Sequence, residues 1–193
     1  MTKRKRRVEQ LCLPEELPML VESLAQVWML GAAPKVVQNA CVAGARFAVE
    51  YLRRVGVEAW ATQVDALALD EQSYQDVLAK RNPTGWSVGA LSLTTVPNTW
   101  NGHVVVETQD WFIDLTAGQM SRPHKEITIL NGLCVPTEKL LHHENVWQGE
   151  WYEVPVSQGH YLFRDAVVQR DITTAPDWHG GLELLRDVVK LTD

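Results

Sequence analysis

Three residues of this 193-residue chain are of types that together do covalent chemistry: Cys41, His103 and Asp114. A cysteine at a helix N-terminus has its thiolate favoured by the helix dipole and by backbone N–H groups that lack intrahelical partners. An imidazole within hydrogen-bond range lets the pair exist as thiolate and imidazolium, a nucleophile poised near neutral pH. A carboxylate beyond the imidazole selects its tautomer and stabilises its charged form. On this reading Cys41 is the nucleophile, His103 the base and then the acid, and Asp114 the orienting group. Backbone N–H groups around Cys41, with the side chain of Gln38 or Asn39, would receive the oxyanion that develops on an acyl group.

The elements that must position these residues are legible around them. Val104 to Thr108 and Trp111 to Leu115 are rich in β-branched and aromatic residues and read as two strands joined at Gln109-Asp110. A two-residue loop sets Val106 opposite Ile113, so Val104, Val106, Ile113 and Leu115 share one apolar face for the core. His103 and Asp114 then lie on the other face as diagonal neighbours, within side-chain reach. Cys41 falls in a helix predicted from Ala40 to about Val55, capped by Asn39 and stopped by Gly56, with a start at Pro34, which would put Cys41 two turns inside, as the alternative. That helix is apolar over most of its circumference, with one polar stripe through Arg46, Glu50, Arg53 and Arg54. Cys41, Gly44, Ala45 and Ala48 share a face of small side chains that would allow close approach to a sheet.

Elsewhere the pattern predicts a first helix from Pro14 to Leu30 and extended chain from Val57 to Leu69. Asp70 to Lys80 reads as a short helix or loop, and Trp86 to Val96 as a strand. Ile127–Leu130 and Leu133–Val135 read as a hairpin around Asn131-Gly132. Trp151–Val156 and Tyr161–Gln169 read as a strand pair, and Leu182–Leu191 as a closing helix. Trp100, with Trp86 and Trp147, is placed at the rim of a cleft near the central hairpin. Adjacent His142 and His143, near Glu144, point apart in any regular element, so a solvated loop is expected there and no metal site.

The order Cys, then His 62 residues on, then Asp 11 further on, is carried by short motifs. These are Asn39-Ala-Cys41, Arg53-Arg-Val-Gly-Val-Glu-Ala59, Gly102-His-Val-Val-Val106, and Phe112-Ile-Asp-Leu-Thr116 with Gly118-Gln119. The chain resembles the transglutaminase-like branch of the papain-like cysteine-enzyme superfamily, and is similar to arylamine N-acetyltransferases and to bacterial papain-fold toxins. The resemblance covers roughly residues 38 to 122. It implies an α+β fold, a papain-like core whose antiparallel sheet packs on the Cys-bearing helix, and acyl transfer through a thioester. Gln119 is the residue that resembles the toxins. Ala40 and Val42 flank the cysteine where many such enzymes have Trp or Gly, and no Gly-rich run follows Asp114, which argues against an acetyl-CoA donor.

Composition narrows the remaining choices. With 46% hydrophobic residues the chain can bury one sizeable core. We expect a basic disordered arm over 1–10 and a single α+β domain over 11–193, with a core of about 14–122 and a β-rich C-terminal extension of about 123–193. Lys3, Arg4, Lys5, Arg6 and Arg7 are basic, and removing their charges from the net −6 leaves the body near −11. This argues against a nucleic-acid-binding body and leaves the arm as the one nucleic-acid contact to consider. Cys12, Cys41 and Cys134 are odd in number and widely spaced, which points away from a disulfide framework and toward a reducing cytoplasm. No membrane span and no cofactor is expected. The expected function is a cysteine acyl-transfer enzyme (amide hydrolase, deamidase, peptidase or transglutaminase) acting on a protein, peptide or small amide. The alternative is an inactive scaffold of the same fold that binds a protein partner.

Overall fold

The computed structural model describes residues 14–31, 40–92, 102–147, 149–169, 171–175, 178 and 186. The arm over 1–10, Cys12, Gln38, Asn39, Trp100 and most of 182–191 lie outside the described residues. Helix α1 (Leu17–Gly31) follows a 3-10 turn at Pro14–Glu16 and buries Leu17, Val21, Leu24, Ala25 and Trp28 along one stripe. Helix α2 (Ala40–Arg54) is buried on most sides and carries the Arg46–Glu50 ion pair, 3.0 Å, on its polar stripe. It ends because Gly56 takes up the left-handed conformation, φ 86°, while Gly56 N and Val57 N donate to the carbonyls of Arg53 and Leu52.

The strands are β1 (Trp60–Leu69), β2 (Ser87–Ala90), β3 (His103–Glu107), β4 (Trp111–Asp114), β5 (Leu133–Pro136), β6 (Leu141–Val146), β7 (Gly149–Val154) and β8 (His160–Asp165). They form one antiparallel sheet in the order β5-β4-β3-β1-β8-β7-β6, with β2 paired to β1 beyond the start of β3. A short helix, α3 (Glu71–Leu78), is capped by the Asp70 carboxylate on Ser73 N. The fold is α+β. Among the described residues no helix is long and apolar enough to cross a membrane.

The sheet is curled, and its two faces hold different cores. Val104, Val106, Ile113 and Leu115 face outward under α1 and α2, in one cluster with Cys41, Ala45, Ala48 and Leu52. Leu67, Leu69 and Leu162 face outward further along and are covered by Val77 of α3, with Trp151. Val64, Ala66, Val105, Phe112, Tyr161 and Phe163 fill the inside of the curl. The face of the hairpin opposite the helices is therefore dry as well, whereas alternation on β3 and β4 suggested one core face only.

Three expectations are corrected. Residues 127–130 form no strand; Ile127 and Thr128 make isolated bridges to Arg122 and Gln158, and β5 pairs with β4 instead. His142 and His143 lie in β6 rather than in a loop, on opposite faces, His142 stacked on Tyr152 and His143 against Glu153. The C-terminal part is β-rich but not appended: β8 lies beside β1 in the middle of the sheet.

On the outer face a polar cluster ties α3 to β8. The Glu153 carboxylate accepts from Tyr74 Oη and His143 Nε2, both at 2.8 Å, and from His160 Nδ1 at 2.7 Å. His160 Nε2 lies 3.0 Å from Glu71 Oε2. With a carboxylate at each ring nitrogen, His160 fills both contacts only as imidazolium. Burial pushes its pKa down, but Glu153 and Glu71 outweigh burial and raise it. Burial pushes Glu153 up, but His160, His143 and Tyr74 outweigh it and bring the carboxyl to about 2.

The stabilisation from Glu153 is thus full above its unfolded pKa near 4.5 and lost as pH falls toward about 2. That from His160 is full below about 6.5 and lost as pH rises through its raised folded value. We expect Glu153→Gln to lower the unfolding free energy by about 1–3 kcal/mol at pH 6. The deficit should shrink steadily below pH 4.5 in urea titrations run across pH, and a deficit independent of pH would refute this account.

Candidate active site

The hairpin register sets Val106 opposite Ile113 and Glu107 opposite Phe112, with Thr108 N donating to Trp111 O at 3.0 Å across the turn. This register brings His103 and Asp114 together on the inner face. His103 Nε2 lies 2.7 Å from Asp114 Oδ2. The other ring nitrogen, Nδ1, is left free of Asp114, and Cys41 is close enough to favour the charged form of the ring. Cys41 is the second described residue of α2. The helix lies on the outer face, and its N-terminus meets the inner-face imidazole at the start of β3.

The three groups are almost sealed from solvent, with Cys41 7%, His103 5% and Asp114 0% exposed. A buried carboxylate without partners would take up a proton. Asp114 has several partners. Its Oδ2 accepts from Tyr161 Oη at 2.6 Å as well as from His103, and its Oδ1 accepts from Thr116 N at 3.0 Å. Burial pushes Asp114 up, but His103, Tyr161 and Thr116 outweigh it and hold the carboxyl below the ordinary range. Burial likewise opposes charge on His103, but Asp114 and then Cys41 hold the imidazole well above its ordinary value. Burial and the Asp114 charge together keep Tyr161 protonated, its pKa well above that of a free phenol, so its O–H is a permanent donor.

Close approach of the two layers depends on Gly44, one turn along α2 from Cys41. A Cβ at this position would stand 2.7 Å from Thr116 Cγ2 and 3.5 Å from the Trp28 indole. Thr116 in turn hydrogen-bonds Asp114. The small-residue face of the helix therefore sets the spacing between the cysteine and the carboxylate.

Of the residues read from the sequence, His103 and Asp114 are hydrogen-bonded, and Cys41 lies near enough to raise the His103 pKa. Gln38, Asn39 and Trp100 lie outside the described residues. Gln119 sits in the 3-10 turn Ala117–Met120 with its side chain exposed, and it hydrogen-bonds neither His103 nor Asp114. Its backbone carbonyl accepts from Arg122 instead. Trp147 stacks on Trp151 at the β6–β7 end of the sheet, away from the hairpin. Trp86 is covered by Lys125, 4.5 Å above its ring. Sequence reasoning missed Tyr161 and Thr116. The Asx-type contact of Thr116 with Asp114 has a local signature two residues apart, while Tyr161, 47 residues away, has none.

Among the described residues no group of three or more His, Cys, Asp or Glu side chains is arranged to hold a metal ion. Compared with family models, with curated proteins and with solved structures, the chain matches none.

Gly→Ala in a helix interior ordinarily stabilises a protein by about 0.5–1 kcal/mol. At position 44 the sign should reverse, since the added methyl meets Thr116 and the indole. We expect Gly44→Ala to destabilise by about 1–3 kcal/mol in equilibrium denaturation, and a stabilised variant would show that α2 has room there.

Proposed function

We propose that the chain is a cysteine acyl-transfer enzyme with a papain-like, transglutaminase-like core, acting on an amide through a thioester on Cys41. The observation that carries this reading is the buried His103–Asp114 pair, 2.7 Å apart, with Cys41 of α2 near enough to favour charge on the imidazole. In the first step the Cys41 thiolate bonds to the acyl carbon and the carbonyl electrons move to oxygen. Backbone N–H groups of the first turn of α2 are positioned to receive that oxyanion. As the carbonyl re-forms, the C–N bond breaks and His103 gives its proton to the leaving amine. In the second step water or an amine attacks the thioester, His103 takes its proton, and the Cys41 thiolate leaves. Throughout, Asp114 keeps the imidazole oriented and stabilises it when charged. A hydrolase is favoured because water needs no site of its own; protein, peptide and small amide substrates all fit this chemistry.

The near-complete burial of Cys41 favours a second reading, a catalytically silent scaffold that binds a protein partner. Chemical reactivity separates the two. A thiolate–imidazolium pair of Cys41 and His103 would be alkylated below pH 7, where an ordinary thiol is not. With iodoacetamide, intact mass and site mapping, we expect Cys41 to label faster there than Cys12 or Cys134, and His103→Ala to abolish the advantage. Labelling of Cys41 no faster than the other two, or only on unfolding, would overturn the enzymatic reading.

A further inference from the structure

The acyl-transfer reading explains His103 and Asp114 but leaves a third polar group in the same dry interior. Tyr161 is fully buried in β8 and aims its hydroxyl at Asp114 Oδ2, 2.6 Å away. Two strands, β3 and β1, separate β8 from β4. Asp114 is level with Val105 of β3, which lies opposite Thr62 of β1, whereas Tyr161 lies opposite Ala68, six residues further along β1. On a straight, flat sheet that offset is roughly 20 Å along the strand and about 14 Å across three strand spacings. Only the curl of the sheet lets the phenol reach the carboxylate. Its ring is seated by Phe112, 6.4 Å between centroids and inclined at 63°, and Phe112 in turn stacks on Phe163 at 4.3 Å.

We propose that Tyr161 is a positioning residue of the Cys41–His103–Asp114 site, fixing the Asp114 carboxylate so that Oδ2 faces His103 Nε2. This inference rests on the reading of the site given above. Thr116 holds only one side of the carboxylate, through Oδ1. Rotation of the group about its bond to Cβ is arrested by the Tyr161 bond on the other oxygen. The proposal also places β8, in the last third of the chain, inside the working machinery of the site.

The groups facing His103 are Asp114 from β4 and Cys41 from α2, and those facing Asp114 are His103, Thr116 and Tyr161. A carboxylate pinned by Tyr161 stabilises the imidazolium; one that swings or takes up a proton does so less. The test is Tyr161→Phe, which keeps the ring and removes one oxygen, with Asp114→Asn as reference. The His103 ring is titrated by NMR through its ¹⁵N shifts, and Cys41 labelling by iodoacetamide is followed in parallel.

We expect the His103 midpoint to fall in Tyr161→Phe by about one pH unit, a tenfold loss of imidazolium preference, toward the value in Asp114→Asn. An unchanged midpoint would reduce Tyr161 to packing, and a rise would mean that it only withdraws charge from the carboxylate; either overturns the proposal. If Tyr161→Phe unfolds, Tyr161→Trp or 3-fluorotyrosine at position 161 replaces it in the same titration, with 3-fluorotyrosine expected to keep the wild-type midpoint and Trp to lower it. Because the His103 titration does not depend on thiol reactivity, a fall in the midpoint with an inert Cys41 upholds the Tyr161 assignment while sinking the enzymatic reading.

Discussion

An ionised carboxylate with no exposure is costly in any fold, and much of the architecture is arranged around keeping Asp114 charged. Transfer of such a group from water to a dry interior is prohibitive unless donors replace its hydration. Asp114 collects donors from three separate places: His103 on the adjacent strand, Thr116 two residues along, and Tyr161 from β8. Each donor needs a different piece of the fold. His103 requires the two-residue turn and its register, Thr116 the tight exit from β4, and Tyr161 the curl of the whole sheet. A change in any of these would leave the carboxylate partly unsatisfied, at a cost of about 1–3 kcal/mol or more.

Buried and half-buried carboxylates on the outer side of the sheet are likewise held by several donors. Asp65 accepts from Arg164 Nη2 at 3.1 Å and from Ser92 N, and the guanidinium lies over the Trp151 ring at 4.6 Å. Asp76 is held by Arg81 and by the backbone and side chain of Thr84. Glu153 is surrounded by Tyr74, His143 and His160. Asp65 and Glu153 tie segments distant in sequence, whereas Asp76 fixes the turn that follows α3. The apolar clusters hold the layers together, and the paired carboxylates fix their register.

What was legible in the sequence follows from how local each determinant is. The extent of α2 could be read because its C-terminal stop, Gly56, is written in adjacent residues, and the His103–Asp114 pairing because a two-residue turn fixes parity over a few positions. The Asn131-Gly132 pair misled for a physical reason. Gly132, at φ 73°, is needed for close approach as well as for turning: a Cβ there would stand 2.7 Å from Ala25 Cβ and 3.2 Å from Val21 O on α1. It seats β5 under the helix, and β5 takes β4 as its partner. Tyr161 was illegible because its contact arises from accumulated strand twist, which no alternation pattern records. The dryness of the inner hairpin face was hidden for the same reason, since the residues that cover it come from β8 and from residues 117–129.

The position of the proposed nucleophile follows from the meeting of the two layers. Cys41 belongs to the outer, helical core, whereas His103 and Asp114 belong to the inner face of the sheet. Contact between them therefore depends on how closely α2 approaches the exit of β4, a distance set by Gly44 against Thr116. The site is thus held by packed elements rather than by mobile loops, which suits a geometry that must be kept to a fraction of an ångström. Burial then has two opposite effects. It makes the Asp114 charge expensive, and it also strengthens the pull of that charge on His103, because little water remains to screen it. The donors that keep Asp114 ionised are consequently what make the imidazole a strong base, and the inner core of the fold and the chemistry proposed for Cys41 depend on the same few hydrogen bonds.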